Sequence, residues 1–294
     1  MTMKRSVKLE GRALVSVSGA DARPFLQGLI SNDIERASPG RAIYAALLTP
    51  QGKYLFDFFV CELGGVILLD SERERRDALV KRLATYRLRS QVAIAPADGL
   101  EVFAAFGDGA AAALGLDGAA GCTRPFAGGI AFNDPRLTAA GVRVVLPAGS
   151  GAKALEDAGF APAIFADYDA ERLRLGLPDG SRDLEIERSM LLENGFEELN
   201  GVDFAKGCYV GQEVTTRMKR RALVRKRLMP VAIEGPAPAP GTIVMRDGIE
   251  VGEMRSVAGG AGLALLRLDL VDGAATLAAG EARITPHTPA WLTS

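Results

Sequence analysis

The change of pattern near residue 225 is the feature that most limits what this chain can fold into. After it, short apolar segments alternate with turns, and no long helical periodicity occurs. Short strands at regular spacing are typical of small antiparallel barrels. We therefore predict a C-terminal β-barrel domain, residues 223–294, after an N-terminal domain, residues 1–222. The candidate barrel strands are residues 227–233, 242–246, 250–257, 263–268 and 282–285.

The N-terminal domain contains a predicted hairpin. The segment Thr49-Pro50-Gln51-Gly52 predicts a turn, because proline fixes one dihedral angle and glycine relaxes another. Apolar segments flank this turn on both sides and predict the two paired strands. The predicted strands of the domain are residues 14–17, 44–48, 54–60, 66–70, 91–95, 100–106 and 142–146.

Helix start signals lie between these strands. Ser18 with Asp21 predicts a short helix, and Ser71 with Glu74 forms a predicted capping box for a helix that runs to about residue 89. A further short helix is predicted at residues 169–175. Strands and helices in this order predict an α+β fold with helices on one side of a sheet.

Composition excludes several classes of protein. The 294 residues suggest about two domains, and 35 basic against 36 acidic residues give a net charge of −1, so the whole molecule has no field that attracts nucleic acid or membrane. No apolar run reaches the ~18 residues that a spanning helix needs. Cys61, Cys122 and Cys208 form no CxxC pair, and His287 is the only histidine. We expect a soluble cytoplasmic protein without a histidine-rich metal site.

One segment concentrates reactive and polar side chains without apolar periodicity. It reads Lys206-Gly207-Cys208-Tyr209-Val210-Gly211-Gln212-Glu213. A cation two residues from Cys208 favours the thiolate, while amide and carboxylate groups suit a heterocyclic ligand. Gly207 and Gly211 permit sharp bends or close approaches. From chemistry alone, the alternative is a turn whose cysteine is a buried small hydrophobe.

The segment that follows is strongly basic. Residues 217–227 contain no acidic residue and carry these cations: Arg217, Lys219, Arg220, Arg221, Arg225, Lys226 and Arg227. Three interpretations remain open: a solvated entry to the barrel, a docking site for an acidic protein or for the polyanionic tail of a ligand, and a nucleic-acid patch. The last is disfavoured because the interleaved aromatic residues of RNA-binding platforms are missing.

The octapeptide resembles the Lys-Gly-Cys-Tyr-x-Gly-Gln-Glu signature of the YgfZ family, folate-binding proteins related to the glycine-cleavage T-protein, an aminomethyltransferase. Other blocks resemble the same family, so the likeness spans nearly the whole chain. They are Phe25–Asp33, Leu48–Lys53, Asp134-Pro135-Arg136, Asn200–Phe204 and Val251-Gly252-Glu253.

The resemblance implies a fold of two interleaved α/β subdomains around a central folate cavity, followed by the barrel. It implies tetrahydrofolate as ligand, and a role in assembling or repairing 4Fe–4S enzymes with an A-type scaffold or a client enzyme as partner. The octapeptide would lie at or beside the mouth of the cavity, and Gly207, Gly211, Arg136 and Arg217 would be motif positions. The implied folate-binding residues are Asp57, Lys206, Tyr209, Gln212 and Glu213.

Cys208 is the candidate redox or cluster thiolate. One cysteine cannot hold a cluster, which usually takes four protein ligands, so any cluster would be shared with a partner. Phe56 stands where the T-protein has the first of two aspartates, which speaks against aminomethyl transfer and against a conventional enzyme. Two alternatives stay open: an aminomethyltransferase acting with a lipoyl carrier, and a protein-binding scaffold with a vestigial folate pocket.

Overall fold

The structure is a computed structural model that describes residues 3–271 and 276–292. Residues 1–2, 272–275 and 293–294 lie outside the described part. Strands before the barrel are β1 Arg5–Lys8, β2 Arg12–Ser18, β3 Ile43–Leu48, β4 Tyr54–Leu63, β5 Val66–Glu72, β6 Ala93–Pro96, β7 Leu100–Phe106, β8 Thr123–Phe126, β9 Gly129–Asn133, β10 Val142–Pro147 and β11 Ala161–Pro162. The helices are α1 Ala22–Gln27, α2 Arg76–Arg87, α3 Ala110–Ala113, α4 Gly151–Asp157, α5 Phe165–Arg174 and α6 Gln212–Arg220.

Two sheets are interleaved in the chain. Within the described residues, one sheet has the order β11-β1-β7-β10-β9-β8 and the other the order β3-β4-β5-β2-β6. The chain leaves the first sheet after β1, builds the second sheet, and returns to the first at β7. This arrangement confirms the predicted α+β fold of two interleaved subdomains.

Strand β4 lies at the centre of the core because both of its faces are covered. Phe59 and Cys61 on one face pack in a cluster with Phe132 of the other sheet. Phe58 and Val60 on the opposite face pack in a separate cluster under the helices of their own sheet. A strand buried on both sides reads as a continuous apolar run, which is the pattern of β4 apart from Asp57 and Glu62.

The C-terminal strands close into an antiparallel barrel, as predicted. They are β12 Lys226–Glu234, β13 Ile243–Arg246, β14 Ile249–Ala258, β15 Ala261–Arg267, β16 Leu277–Ala279 and β17 Ala282–Pro286. Their order around the barrel is β12-β15-β14-β13-β16-β17, and the core includes the fully buried Val231, Met254 and Ile284. The sequence did not predict β16, which is three residues long and lies in an Ala-rich stretch.

Two predicted helix caps are wrong. Ser71 lies in β5 opposite Ala13, and α2 begins only at Arg76, because the strand ladder and not a capping box uses the backbone at this point. Ser18 is the last residue of β2. Asp21 stands at the N-cap position of α1 but makes no side-chain capping hydrogen bond, because its carboxylate accepts one from the Gln91 backbone N–H. The sequence also missed α6, whose residues we had assigned to the loop and to the basic segment.

No helix among the described residues has the length and apolar character needed to cross a bilayer.

Candidate functional site

The predicted hairpin turn and the octapeptide form one structural unit. Gly52 and Gly211 both have a positive φ, +76° and +84°. A Cβ at Gly211 would clash with the Thr49 carbonyl oxygen, and a Cβ at Gly52 would lie 2.8 Å from Val214 Cβ. Both glycines are therefore needed for the close approach of segments that are far apart in sequence.

Lys206 ties the octapeptide to the end of α1. Its Nζ donates hydrogen bonds to the carbonyl oxygens of Gln27 at 2.9 Å, Ile30 at 2.6 Å and Asn32 at 2.8 Å. Burial lowers the pKa of Lys206 to about 8. An ammonium group has three donors, so these contacts occupy all of them. The structure thus gives Lys206 a role in holding the chain itself, where we had predicted contact with an anionic ligand.

Cys208 lies on the surface of this unit. Its side chain is exposed, and a Cβ at the preceding Gly207 would meet nothing within 4 Å. The segment is nevertheless fixed on both sides, since Lys206 is anchored and the Val210 backbone N–H donates to the Gly28 carbonyl. The thiol is therefore displayed on a held loop and is not a packing residue.

The remaining octapeptide residues do not form a pocket. Tyr209 is buried in the core, and burial raises its pKa to about 12. The Gln212 side-chain oxygen accepts a hydrogen bond from the Tyr209 backbone N–H, and Gln212 and Glu213 begin α6. Glu213 is exposed, as is Arg217 farther along the helix. The structure does not bring the predicted folate contacts of this segment to the central cavity.

That cavity has a volume of about 540 Å³ and lies where the two sheets and α5 meet. Small-molecule sites of this size combine apolar walls with a few polar groups. Here the polar groups are charges of both signs, and aromatic rings stand between them. Its charged and aromatic lining side chains include Arg12, Glu72, Arg143, Phe165, Tyr168, Asp179 and Arg182.

A buried ion cluster supports the floor of the cavity. The carboxylate of Asp70, which is fully buried, accepts hydrogen bonds from Arg12 Nε at 2.8 Å and from Arg143 at 2.7 Å. The Arg143 guanidinium lies 3.8 Å from the Phe59 ring centroid and donates to the Tyr168 hydroxyl at 3.3 Å. Arg143 Nε is buried without a hydrogen-bond partner among the described residues. Two guanidinium groups share this carboxylate, and Arg12 also forms an ion pair with Asp179 at 3.8 Å, so positive and negative charges are balanced here.

The wall next to this ion cluster carries two carboxylates, those of Glu72 and Asp179. Both oxygens of Glu72 accept hydrogen bonds from Ser181, one from its backbone N–H and one from its hydroxyl. Arg182 donates to Asp179 at 2.8 Å, and its side chain is 40 % exposed at the rim. Burial acts to raise the pKa of Asp179, but the surrounding arginines outweigh it and hold that pKa well below its usual range. Carboxylates and guanidinium groups therefore lie next to one another around the cavity, and both are charged at neutral pH.

Asp57 lies behind this wall. It is 3 % exposed, and its carboxylate accepts hydrogen bonds from the Tyr44 hydroxyl at 2.8 Å and from the Tyr54 hydroxyl at 2.7 Å. The Tyr54 hydroxyl also lies 3.4 Å from Glu72. Burial raises the pKa of Asp57. Asp57, which the family resemblance implied as a folate-binding residue, is therefore connected to the cavity through Tyr54 and Glu72 and does not line it.

Arg136 is buried away from solvent. It forms a two-point contact with Asp134, at 3.1 and 2.8 Å, and donates to the Pro178 carbonyl at 2.8 Å. Its guanidinium lies 4.8 Å from the Phe59 ring centroid, in the same aromatic cluster as Arg143. This motif position supports the core beside the cavity.

The sequence interpretation missed Arg12, Asp70 and Arg143. Each stands in or beside an apolar strand, in Arg-Ala-Leu-Val, Val-Ile-Leu-Leu-Asp and Val-Arg-Val-Val-Leu. A charged residue inside an otherwise apolar strand is a signal of a buried ion pair, because such a residue is almost never fully buried unless it is paired. That signal was available and would have indicated buried ion pairs, although not which residues pair.

The described residues contain no cluster of three or more His, Cys, Asp or Glu side chains suited to a metal ion. Cys61 is buried, and burial raises the pKa of its thiol. Cys122 is half-buried, and burial together with Asp117 raises its thiol pKa as well. Cys208 is the exposed thiol of the three.

The fold is that of the glycine-cleavage T-protein class. The crystal structure of the glycine cleavage system aminomethyltransferase T from Bartonella henselae matches with a TM-score of 0.80 at 15 % identity, over 98 % of this chain and 86 % of that one. The family model for the CAF17 C-terminal beta-barrel domain matches residues 225–294.

Sequence comparison gives the family. The human mitochondrial iron–sulfur cluster assembly factor IBA57 is 35 % identical over 295 residues, which cover 93 % of this chain and 80 % of the human protein. The mouse factor is 34 % identical over 321 residues, which cover 97 % of this chain and 84 % of the mouse protein. The chain belongs to the IBA57 family of iron–sulphur cluster assembly factors. These relatives are named as IBA57 factors and not as YgfZ, the family whose motifs the sequence resembles.

The predicted cytoplasmic location is wrong by this comparison. The human, mouse and Neurospora crassa relatives are all mitochondrial in their names. We had based the prediction on net charge, apolar runs and unpaired cysteines. These properties do not separate one reducing compartment from another.

Proposed function

We propose that this chain acts in iron–sulphur cluster assembly by binding a reduced folate in the central cavity and presenting the Cys208 thiol to a partner protein. The observation that supports the folate part is the cavity itself, about 540 Å³ in volume, which is lined by carboxylates, guanidinium groups and aromatic rings. Family membership supports the assembly role, because the relatives carry it in their names.

The charge arrangement suits both ends of a folate. The pterin ring has amine and ring N–H donors along one edge, which match carboxylates such as Glu72 or Asp179. The glutamate tail has carboxylates that match the guanidinium of Arg182 at the rim. Phe165 and Tyr168 offer aromatic surface between these two regions.

The thiol works at a separate place. Cys208 is not among the residues that line the cavity, and it lies exposed on the octapeptide. A surface thiolate can supply one ligand to a cluster, while a partner, an A-type scaffold or a client enzyme, supplies the others. In this proposal folate binding stabilises the fold and does not take part in the thiol chemistry.

A thermal-shift titration with tetrahydrofolate and its polyglutamates under anaerobic conditions tests the folate part. A ligand that binds only the folded state at 100 times its Kd adds about 2.7 kcal/mol of stability. For a domain of this size, that corresponds to a rise in Tm of roughly 5–10 °C. An unchanged midpoint at high micromolar ligand would leave a scaffold with a vestigial pocket.

Cluster transfer to a 4Fe–4S client tests the thiol part. We expect Cys208→Ser to slow the transfer, because the exposed thiolate is lost while the fold is kept. Cys122→Ser is the matched control and should leave the transfer rate unchanged. Equal rates for wild type and Cys208→Ser would contradict the proposal.

An assay for methylene-tetrahydrofolate formation from an aminomethyl-lipoyl carrier separates the remaining alternative. We expect no turnover, because the Asp57 carboxylate is enclosed by Tyr44 and Tyr54 and is not at the cavity surface. Turnover would establish an aminomethyltransferase.

A further inference from the structure

One face of α6 displays arginines that the fold does not use. Arg217, Arg220 and Arg221 follow the i, i+3, i+4 spacing of a helix surface, opposite the buried Thr215 and Met218. Within residues 3–271 and 276–292, none of the three guanidinium groups has an ion-pair partner. One carboxylate, Glu213, lies on the same face a turn earlier. We call the three arginines the basic face of α6.

The helix under this face is fixed. Lys219 forms an ion pair with Glu197, and its Nζ lies 4.3 Å from the Phe204 ring centroid. At the other end, Val214 packs closely against Gly52 of the hairpin turn. An anchored helix limits the entropy lost when its side chains meet a partner, so a charged face on such a helix is suited to binding.

The basic face lies close to the exposed thiol along the chain. Cys208 stands four positions before the first residue of α6, and four residues of chain span at most about 14 Å. At a rise of 1.5 Å per residue, Arg217 lies about 8 Å and Arg221, at the helix C-cap, about 14 Å along the axis from the start of the helix. These spans together are within the width of a partner footprint of about 800 Å².

We infer that the basic face of α6 is the docking surface for an acidic protein and that it holds this partner against Cys208. The inference rests on the proposed role of Cys208. The net charge of the whole chain is −1, so attraction of an acidic partner must be local, and these arginines supply it. A nucleic acid is disfavoured, because the nearby aromatic rings are not free for base stacking: Tyr209 is buried and Phe204 lies under Lys219.

The test uses the thiol as a reporter of docking. Peptides of about eight glutamates or eight glutamines carry one cysteine activated as a thiopyridyl disulfide. The Cys208 thiolate attacks the peptide sulfur, a new disulfide forms, and thiopyridone leaves with the electron pair, which gives an absorbance signal. In a Cys122→Ser background, we expect the glutamate peptide to react at least ~10-fold faster at about 20 mM salt, with the advantage lost in high salt.

Two variants with equal charge change locate the effect. In Arg217→Gln/Arg220→Gln/Arg221→Gln, the glutamate peptide should react no more than about twofold faster than the glutamine peptide. The control, Lys81→Gln/Arg87→Gln/Arg89→Gln, removes three exposed cations in and just after α2 and should keep the wild-type ratio.

Three outcomes would overturn the inference: equal rates for both peptides in wild type, equal loss in both triple variants, or a faster reaction of an activated oligouridylate of matched charge. The last outcome would assign the face to nucleic acid. The thermal shift with tetrahydrofolate is measured on the same proteins. A folate shift that persists when the peptide ratio fails would reject the docking surface and leave the folate proposal standing.

Discussion

Lys206→Met removes the contact that holds the octapeptide to the end of α1. The ammonium donates three hydrogen bonds, and a hydrogen bond to a charged group contributes about 1.5–3 kcal/mol. The burial that lowers the pKa of Lys206 to about 8 opposes this gain. When the loop opens, water can hydrogen-bond to the three carbonyl oxygens, and this further reduces the loss of stability. We therefore expect a net loss of roughly 2–4 kcal/mol, confined to this unit.

Hydrogen–deuterium exchange resolves where that loss falls. Peptides that cover residues 203–211 and 27–32 should lose protection together, because Lys206 connects them, while the barrel strands keep theirs. Lys153→Met is the matched control, since Lys153 is exposed and pairs only with Asp157 one turn away. Unchanged protection at residues 27–32 in folded Lys206→Met would refute the bracing role.

Further predictions concern the other buried contacts. Gly211→Ala should cost about 1–3 kcal/mol, because a side chain at its positive φ is strained, whereas Gly207→Ala should be nearly neutral in thermal melts. Asp134→Asn should cost about 3–5 kcal/mol at pH 7, because it breaks a buried pair. Burial raises the pKa of Asp134, but Arg136 and its hydrogen bonds outweigh it, so the net pKa lies below the usual 3.8. This stability is present above pH 3.8, and the Tm gap between wild type and Asp134→Asn should close as pH falls below it. A chromogenic disulfide reagent should label Cys208 in the native state.

Local chemistry in the sequence predicted the hairpin and the barrel. Proline and glycine at the turn, with apolar segments on either side, leave few alternatives to β3 and β4. The same local rules failed at Ser71, because a Ser-x-x-Glu pattern does not show that the backbone already pairs in a strand. They also missed α6, whose buried positions, Thr215 and Met218, are hidden in a basic run.

The cavity could not be predicted from local pattern alone. Its supporting carboxylate, Asp70, meets Arg12 across 58 residues and Arg143 across 73 residues of chain. Only the topology brings them together, although each charge in an apolar strand was a visible signal. The family resemblance gave the fold correctly, but it also implied octapeptide side chains as folate contacts, and none of them is among the residues that line the cavity.

Isothermal titration calorimetry with tetrahydrofolate tests the central claim, that a reduced folate binds in the cavity above the buried ion cluster. We predict one site per chain in wild type and in Arg174→Gln, an exposed control on α5. Arg182→Gln, which changes the cavity rim, should weaken binding by about 10-fold or more. Absence of heat in wild type, or equal affinity in all three proteins, would contradict the account.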